Sequence, residues 1–147
     1  MSVRVFVDTN VLVYAKDLSH PTKQRAAQHW LEALAARNAI VVSAQSLREY
    51  YNAATNPKKT AIPRQIARRE VAALHAWLPA DGGLDRLPEA WEIQDRFQLA
   101  FFDSMLLAAA LTAKCTHFLS EDLHAGLNVN GALIVNFMTV SPEELLG

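Results

Sequence analysis

The sequence predicts a single α/β domain with a central, mostly parallel β-sheet flanked by helices on both faces. Three observations carry this expectation. Short, β-branched apolar runs recur at residues 3–7, 40–43, 116–120 and 131–136. Counting a very short run at residues 84–87, one or two helical patterns separate successive strands up to residue 120, the spacing expected of βαβ crossovers. The chain has 147 residues, 51% of them hydrophobic, and no linker, repeat or low-complexity segment divides residues 1–147. That is enough material for one substantial core.

Val3, Val5 and Val7 alternate with Arg4 and Phe6 in a run that ends at Asp8, read as a buried strand. A short helix is expected over residues 10–16. Ser19-His20-Pro21 resembles a helix start, because proline costs nothing in a first turn where its N–H would be unpaired. Ala26, Ala27, Trp30, Leu31 and Leu34 then fall at helical spacing to about Arg37. Residues 40–43 form the second strand, and residues 43–55 a helix stopped by Asn56-Pro57. Pro63 restarts a helix carrying Ile66, Val71, Leu74 and Trp77 that ends near Pro79. Asp81-Gly82-Gly83 reads as a turn and residues 84–87 as a very short strand. Pro88 opens a helix with Ala90, Trp91, Ile93, Gln94 and Phe97. Residues 103–114 are apolar nearly all round, which predicts a helix buried on most sides. Residues 116–120 and 131–136 are the remaining strands, followed by a polar tail.

Fourteen basic residues against fifteen acidic ones leave a net charge of -1. No global positive field is available, so nucleic-acid binding would need a local patch or a metal. The single cysteine, Cys115, excludes an internal disulfide and fits a reducing compartment. It also rules out a cysteine-based zinc site. The apolar N-terminus carries Arg4, Asp8 and Asn10 within it, unlike a signal peptide. The apolar run at residues 104–113 is too short to cross a bilayer. A soluble, cytoplasmic protein with no membrane association is expected.

The acids give the functional signal. Asp8 follows the first strand, Asp122 follows the third by one residue, and Asp103 begins the buried helix. Glu49 lies about two turns into the helix after the second strand. Open parallel sheets bind ligands at the carboxyl ends of their strands, so these four could converge on one pocket. Like charges about 4 Å apart repel by roughly 4 kcal/mol at an effective dielectric near 20, so such a cluster calls for a cation. Oxygen ligands select a hard ion, Mg2+ or alternatively Mn2+. Each acid also has a structural alternative. Asp8 and Asp103 could cap helices, Asp122 could serve a turn, and Glu49 could be a solvated helix residue. The set, not any member, carries the argument.

With these residues in view, the chain resembles PIN-domain nucleases, and especially the VapC-like toxins of type II toxin–antitoxin pairs. The likeness covers nearly the whole chain. It rests on Val5-Phe6-Val7-Asp8-Thr9-Asn10-Val11-Leu12, on Ser46-Leu47-Arg48-Glu49-Tyr50-Tyr51, on residues 101–110 around Asp103, and on Phe118-Leu119-Ser120-Glu121-Asp122-Leu123. The resemblance implies catalytic acids at Asp8, Glu49, Asp103 and Asp122, with metal held by Asp8, Asp103 and Asp122. It places a supporting polar residue at Asn10 and a supporting hydroxyl at Ser120, where threonine is commoner. Glu121 is expected at the rim. The resemblance further implies Mg2+-dependent endoribonucleolytic cleavage of RNA, a cognate antitoxin and a homodimer. The expected step is in-line attack of a metal-activated water on a phosphodiester.

Lys58, Lys59, Arg64, Arg68 and Arg69 fall within an acid-free stretch and could line an RNA groove or form a solvated helix face. Tyr50, Tyr51 and Trp77 are expected in the core or at a dimer contact. His20, His29, His75, His117 and His124 show no metal-ligand spacing. The alternatives are a solitary PIN-domain RNA-processing nuclease, a phosphotransfer domain, and a non-catalytic metal- or RNA-binding module. A haloacid-type phosphatase would want an acid where Asn10 stands, and a receiver domain would want paired early acids and a late lysine.

Overall fold

The computed structural model describes residues 2–78 and 83–147. Five strands form one sheet: β1 (Val5–Val7), β2 (Ile40–Val41), β3 (His117–Ser120), β4 (Asn128–Val129) and β5 (Ala132–Asn136), in the order β2-β1-β3-β5-β4. Their partners run parallel except for β4, which pairs antiparallel with β5. Seven α-helices are described: α1 (Thr9–Tyr14), α2 (Pro21–Ala36), α3 (Ala44–Ala54), α4 (Arg64–Leu74), α5 (Leu87–Phe97), α6 (Phe101–Thr112) and α7 (Pro142–Leu146). The α/β class, the parallel sheet and the helices on both faces are as the sequence predicts.

Alternation along β1 divides the core. Val5 and Val7 pack with Trp30, Leu34, Leu47 and Tyr50 from α2 and α3. Phe6 faces the other way and packs with Ile93, Leu107 and Phe118, on the side of α5 and α6. Phe6 stacks on Phe118 of the neighbouring strand, with ring centroids 5.1 Å apart. A strand buried on both faces needs apolar residues at every position, which is why β1 reads as an uninterrupted run. Trp30 secures the chain's last turns: its indole N–H donates to the carbonyls of Phe137 (3.1 Å) and Val140 (3.0 Å).

Four expectations need correction. Residues 84–87 contribute no strand; a 3-10 turn at Gly83–Arg86 leads into α5. The helix begun near Pro63 is α4, which stops at Leu74 and continues as a 3-10 turn at His75–Trp77. Pro79, its expected end, lies outside the described residues, as do Asp81 and Gly82 of the expected turn. The run at 131–136 is half of a hairpin, with β4 before it. The polar tail carries α7, capped by Ser141, whose hydroxyl accepts the Glu144 N–H at 3.3 Å. No helix among the described residues is long and apolar enough to cross a membrane.

Candidate active site

Register places the first two site residues side by side. Val7 pairs with Leu119, so Asp8 and Ser120 occupy the next level on adjacent parallel strands. The Asp8 N–H continues the ladder by donating to the Leu119 carbonyl at 3.0 Å. Asp8 then caps α1, its Oδ1 accepting the Thr9 N–H at 2.7 Å. The capping alternative is therefore real, and it leaves Oδ2 for Ser120, whose hydroxyl donates to it at 2.7 Å.

Ser120 is only 1% exposed and ties three residues together. Its Oγ also accepts the Asn10 amide Nδ2 (3.3 Å) and the Asp122 N–H (3.2 Å). Asn10 Nδ2 meets Asp122 Oδ2 at 2.9 Å, which links the start of α1 to the loop after β3. Asn10 and Ser120, the two expected supporting residues, thus each hydrogen-bond a site carboxylate, Asn10 that of Asp122 and Ser120 that of Asp8.

The other two acids come from helices. Ser43 caps α3 in a reciprocal box with Ser46, fixing the helix direction at the end of β2. Leu47, Tyr50 and Ala54 turn into the core, while Glu49 and Ala53, four residues apart on one face, line a cavity. Asp103 stands in the first turn of α6, whose N-cap is Ala100. It is not the capping residue, and its side chain reaches the same cavity. That cavity, of about 830 Å³, is lined by Asp8, Glu49, Asp103 and Asp122 together. All four predicted acids meet at the carboxyl edge of the sheet.

The electrostatics record the crowding. Burial is the main cause that pushes the Asp8 carboxyl up to about 6. The Ser120 and Thr9 hydrogen bonds oppose that rise, while Asp103 and Asp122 add to it. Burial also raises Asp103 above the ordinary carboxylate range, helped by Asp122. The wall holds two further oxygens, Thr9 Oγ1 and Asn10 Oδ1, which are buried without a hydrogen-bond partner. Among the described residues, no three acids, histidines or cysteines are gathered tightly enough to chelate an ion alone. Mg2+ seldom asks for that, since it usually keeps several waters and takes one or two carboxylates. Mutually repelling carboxylates beside unpaired neutral oxygens fit a hard divalent cation held partly through water.

The remaining candidates divide. Lys58 and Lys59, on the loop after α3, line the acid cavity. Arg69 lines a separate cleft of about 660 Å³ with Tyr50, Glu70 and Lys16, the last two forming an ion pair at 2.7 Å. Arg68 Nε donates to the Tyr51 hydroxyl at 3.2 Å, and exposed Arg64 lines neither cavity. The basic run is thus not one surface. Glu121 turns away from the acids, accepting from Lys23 Nζ (3.1 Å) and the Tyr14 hydroxyl (3.2 Å). Tyr50 is buried in the core, Trp77 is partly buried against it, and Tyr51 is half-buried.

Sequence reasoning passed over several cavity residues: Tyr14, Asp17, Ser19, His20 and Phe102. Phe102 was hidden inside an apolar helix pattern, yet it is 68% exposed beside Asp103. The available signal for the others was the polar Asp17-Leu18-Ser19-His20 segment, close in sequence to the Asp8 helix.

The PIN domain family model matches residues 5–125. No curated protein is significantly similar to the chain in sequence. Among solved structures, VapBC2 from Rickettsia felis, bound to a DNA fragment from its promoter, is similar with a TM-score of 0.63 and 16% identity over 91% of this chain and 98% of that one. FitAcB from Neisseria gonorrhoeae gives 0.64 and 15% over 92% and 99%. VapC20 of Mycobacterium tuberculosis, described as a sarcin–ricin loop cleaving toxin, gives 0.51 and 18% over 78% and 86%.

Proposed function

Because this chain belongs to the PIN-domain family, we propose that it is a divalent-metal-dependent endoribonuclease and the toxin of a toxin–antitoxin pair. The observation that carries the reading is the meeting of Asp8, Glu49, Asp103 and Asp122, from four separate segments, at one cavity. Asp8, Asp103 and Asp122 would hold Mg2+ or Mn2+ directly or through water, with Glu49 completing the cluster. A bound ion of this kind supplies a water of lowered pKa and neutralises phosphoryl oxygens. Asn10 and Ser120 keep the carboxylates oriented, and Lys58 and Lys59 attract the substrate's phosphates to the rim.

The test is cleavage of single-stranded RNA, with single-stranded DNA alongside, in the presence of Mg2+, Mn2+ or chelator. Metal-dependent RNA cleavage supports the reading. Phosphate release from monoesters would favour phosphotransfer, and RNA or metal binding without turnover would favour a binding module. VapBC2 and FitAcB point to an antitoxin partner by analogy of fold. Co-expression with the product of the adjacent gene should yield a stable complex and suppress cleavage. Failure of both leaves a solitary RNA-processing nuclease. A homodimer is expected from the family likeness, and sedimentation of the purified chain tests it.

The divided basic run gives a sharper prediction. Lys58→Ala with Lys59→Ala should weaken RNA binding about tenfold and lower the salt slope by about 1 to 2. Arg69→Ala, in the other cleft, should leave binding within twofold of wild type. Equal losses in the two variants would show that RNA also crosses the second cleft.

A further inference from the structure

The segment between α1 and α2 brings a histidine to the acid cavity. Tyr14, Asp17, Ser19 and His20 all line it. Asp17 Oδ2 lies 2.8 Å from His20 Nδ1. The other oxygen of Asp17 accepts the Ser19 hydroxyl at 2.5 Å and the Ser19 N–H at 3.0 Å. The Ser19 hydroxyl is also 3.1 Å from His20 Nδ1. Tyr14 meets the imidazole edge-on, with centroids 5.8 Å apart, and carries Lys23 over its ring at 4.8 Å.

These contacts engage Nδ1 and leave Nε2 without a hydrogen-bond partner among the described residues. A carboxylate at Nδ1 selects the tautomer that carries its proton there and fixes the ring. The Ser19 hydroxyl, foremost, holds the Asp17 carboxyl below the ordinary range, so it remains an acceptor. The other charged residues that line this cavity are Asp8, Glu49, Asp103, Asp122, Lys58 and Lys59. Ionised carboxylates can only accept hydrogen bonds. They serve the attacking water well but offer nothing to the oxygen that departs. Imidazole is the side chain suited to giving up a proton near neutrality and taking it back.

We propose that His20, held by Asp17, protonates the departing ribose oxygen during RNA cleavage. The inference rests on the nuclease reading of this cavity. Water oxygen forms the new bond to phosphorus, and the bond from phosphorus to the departing ribose oxygen breaks. The electron pair of that bond stays on the ribose oxygen and takes the Nε2 proton of the His20 imidazolium, which is left as the neutral ring protonated at Nδ1 against Asp17. The attacking water releases one proton to solvent, and the imidazole regains one from solvent. Net, one water is added across the phosphodiester.

The test compares wild type, His20→Gln and Asp17→Asn on an RNA cleaved in Mg2+. His20→Gln should lower kcat about 100-fold with KM within twofold, and Asp17→Asn, a change at a positioning residue, about tenfold. The His20→Gln thermal midpoint should match wild type, since the His20 side chain is exposed. Sulfur in place of the departing oxygen leaves without a proton, so on that substrate the variants should cleave at the wild-type rate. A kcat for His20→Gln within threefold of wild type overturns the proposal. So does a defect confined to KM, or one that persists on the sulfur substrate. Wild type that fails to cleave RNA with Mg2+ or Mn2+ overturns the nuclease reading and this inference together.

Discussion

Asp8→Asn should abolish RNA cleavage and stabilise the fold at neutral pH. The loss follows from removing the carboxylate most central to the cluster, which touches Ser120 and feels both Asp103 and Asp122. Losing about 4 kcal/mol of transition-state stabilisation corresponds to roughly a 1000-fold fall in rate. The gain follows from burial. Asp8 is 7% exposed, and its carboxyl is pushed from 3.8 up to about 6. Between those values the folded chain keeps a proton that the unfolded chain has released, so raising the pH through this window favours unfolding. Once ionised, the group costs about 3 kcal/mol of stability relative to an unshifted carboxyl. Asparagine carries no charge to bury, although its amino group must replace one acceptor, so the net gain should be about 2 kcal/mol. Urea unfolding at pH 3.5 and pH 7.5 checks this. By the same figures the variant should fall about 1 kcal/mol below wild type at the lower pH and exceed it by about 2 kcal/mol at the higher. Saturating Mg2+ should narrow the gap by stabilising wild type alone. Cleavage retained by the variant would move the active centre elsewhere, and a gap independent of pH would refute the burial cost.

The same balance explains which parts of the molecule were legible. β1 is buried on both faces, so its sequence is an unbroken apolar run; β3 shows the same burial at Phe118 and Leu119, and the acids that follow the two strands mark the sheet's working edge. Asp103 and Glu49 were legible only as members of a set, because their helices alone explain an acid at either position. The hairpin before β5 had a signal too. Asn130 and Gly131 both take positive φ, as a two-residue turn of the primed kind requires, and Val129 pairs with Ala132 across it. β4 has only two residues, too few for alternation to register. Residues 84–87, expected as a very short strand, place a charged pair between two leucines. The backbone instead closes on itself as a 3-10 turn before α5.

Linear proximity misled most clearly in the basic run. Consecutive residues on a helix diverge by about 100°, so Arg68 reaches Tyr51 while Arg69 enters a different cleft. Only Lys58 and Lys59, in the loop before α4, stay with the acids. His20 escaped for the opposite reason. Its partners Asp17 and Ser19 are adjacent in sequence, but nothing in the spacing says that this loop folds over the end of β1. Periodicity reports which face of an element is buried and says little about where the following loop travels.

Ser120→Ala should lower cleavage at pH 7 about 100-fold, with part of the loss recovered at higher pH. The hydroxyl donates to Asp8, and among the influences on that carboxyl it is the largest that lowers its pKa. Without it, Asp8 rises further above about 6 and more of the protein carries a protonated carboxyl at neutral pH. A protonated carboxyl is a poor ligand for a hard cation. Raising the pH or the Mg2+ concentration should therefore restore activity in the variant more than in wild type. Loss of the serine also frees the Asp122 N–H and one contact of Asn10, so orientation is lost as well as charge. That share will not return with pH, and losses of 10- to 100-fold are usual when such supporting hydrogen bonds are removed. Stability should move in the same sense. The hydroxyl favours the ionised form of Asp8, so the variant's deficit should widen as the pH rises through about 6. Ser120→Thr supplies the control, since it keeps the hydroxyl while adding a methyl group. Threonine should hold activity within a few fold of wild type if the added methyl is accommodated. A Ser120→Ala variant with an unchanged pH–rate profile would show that Ser120 shapes the loop to Asp122 and leaves Asp8 alone.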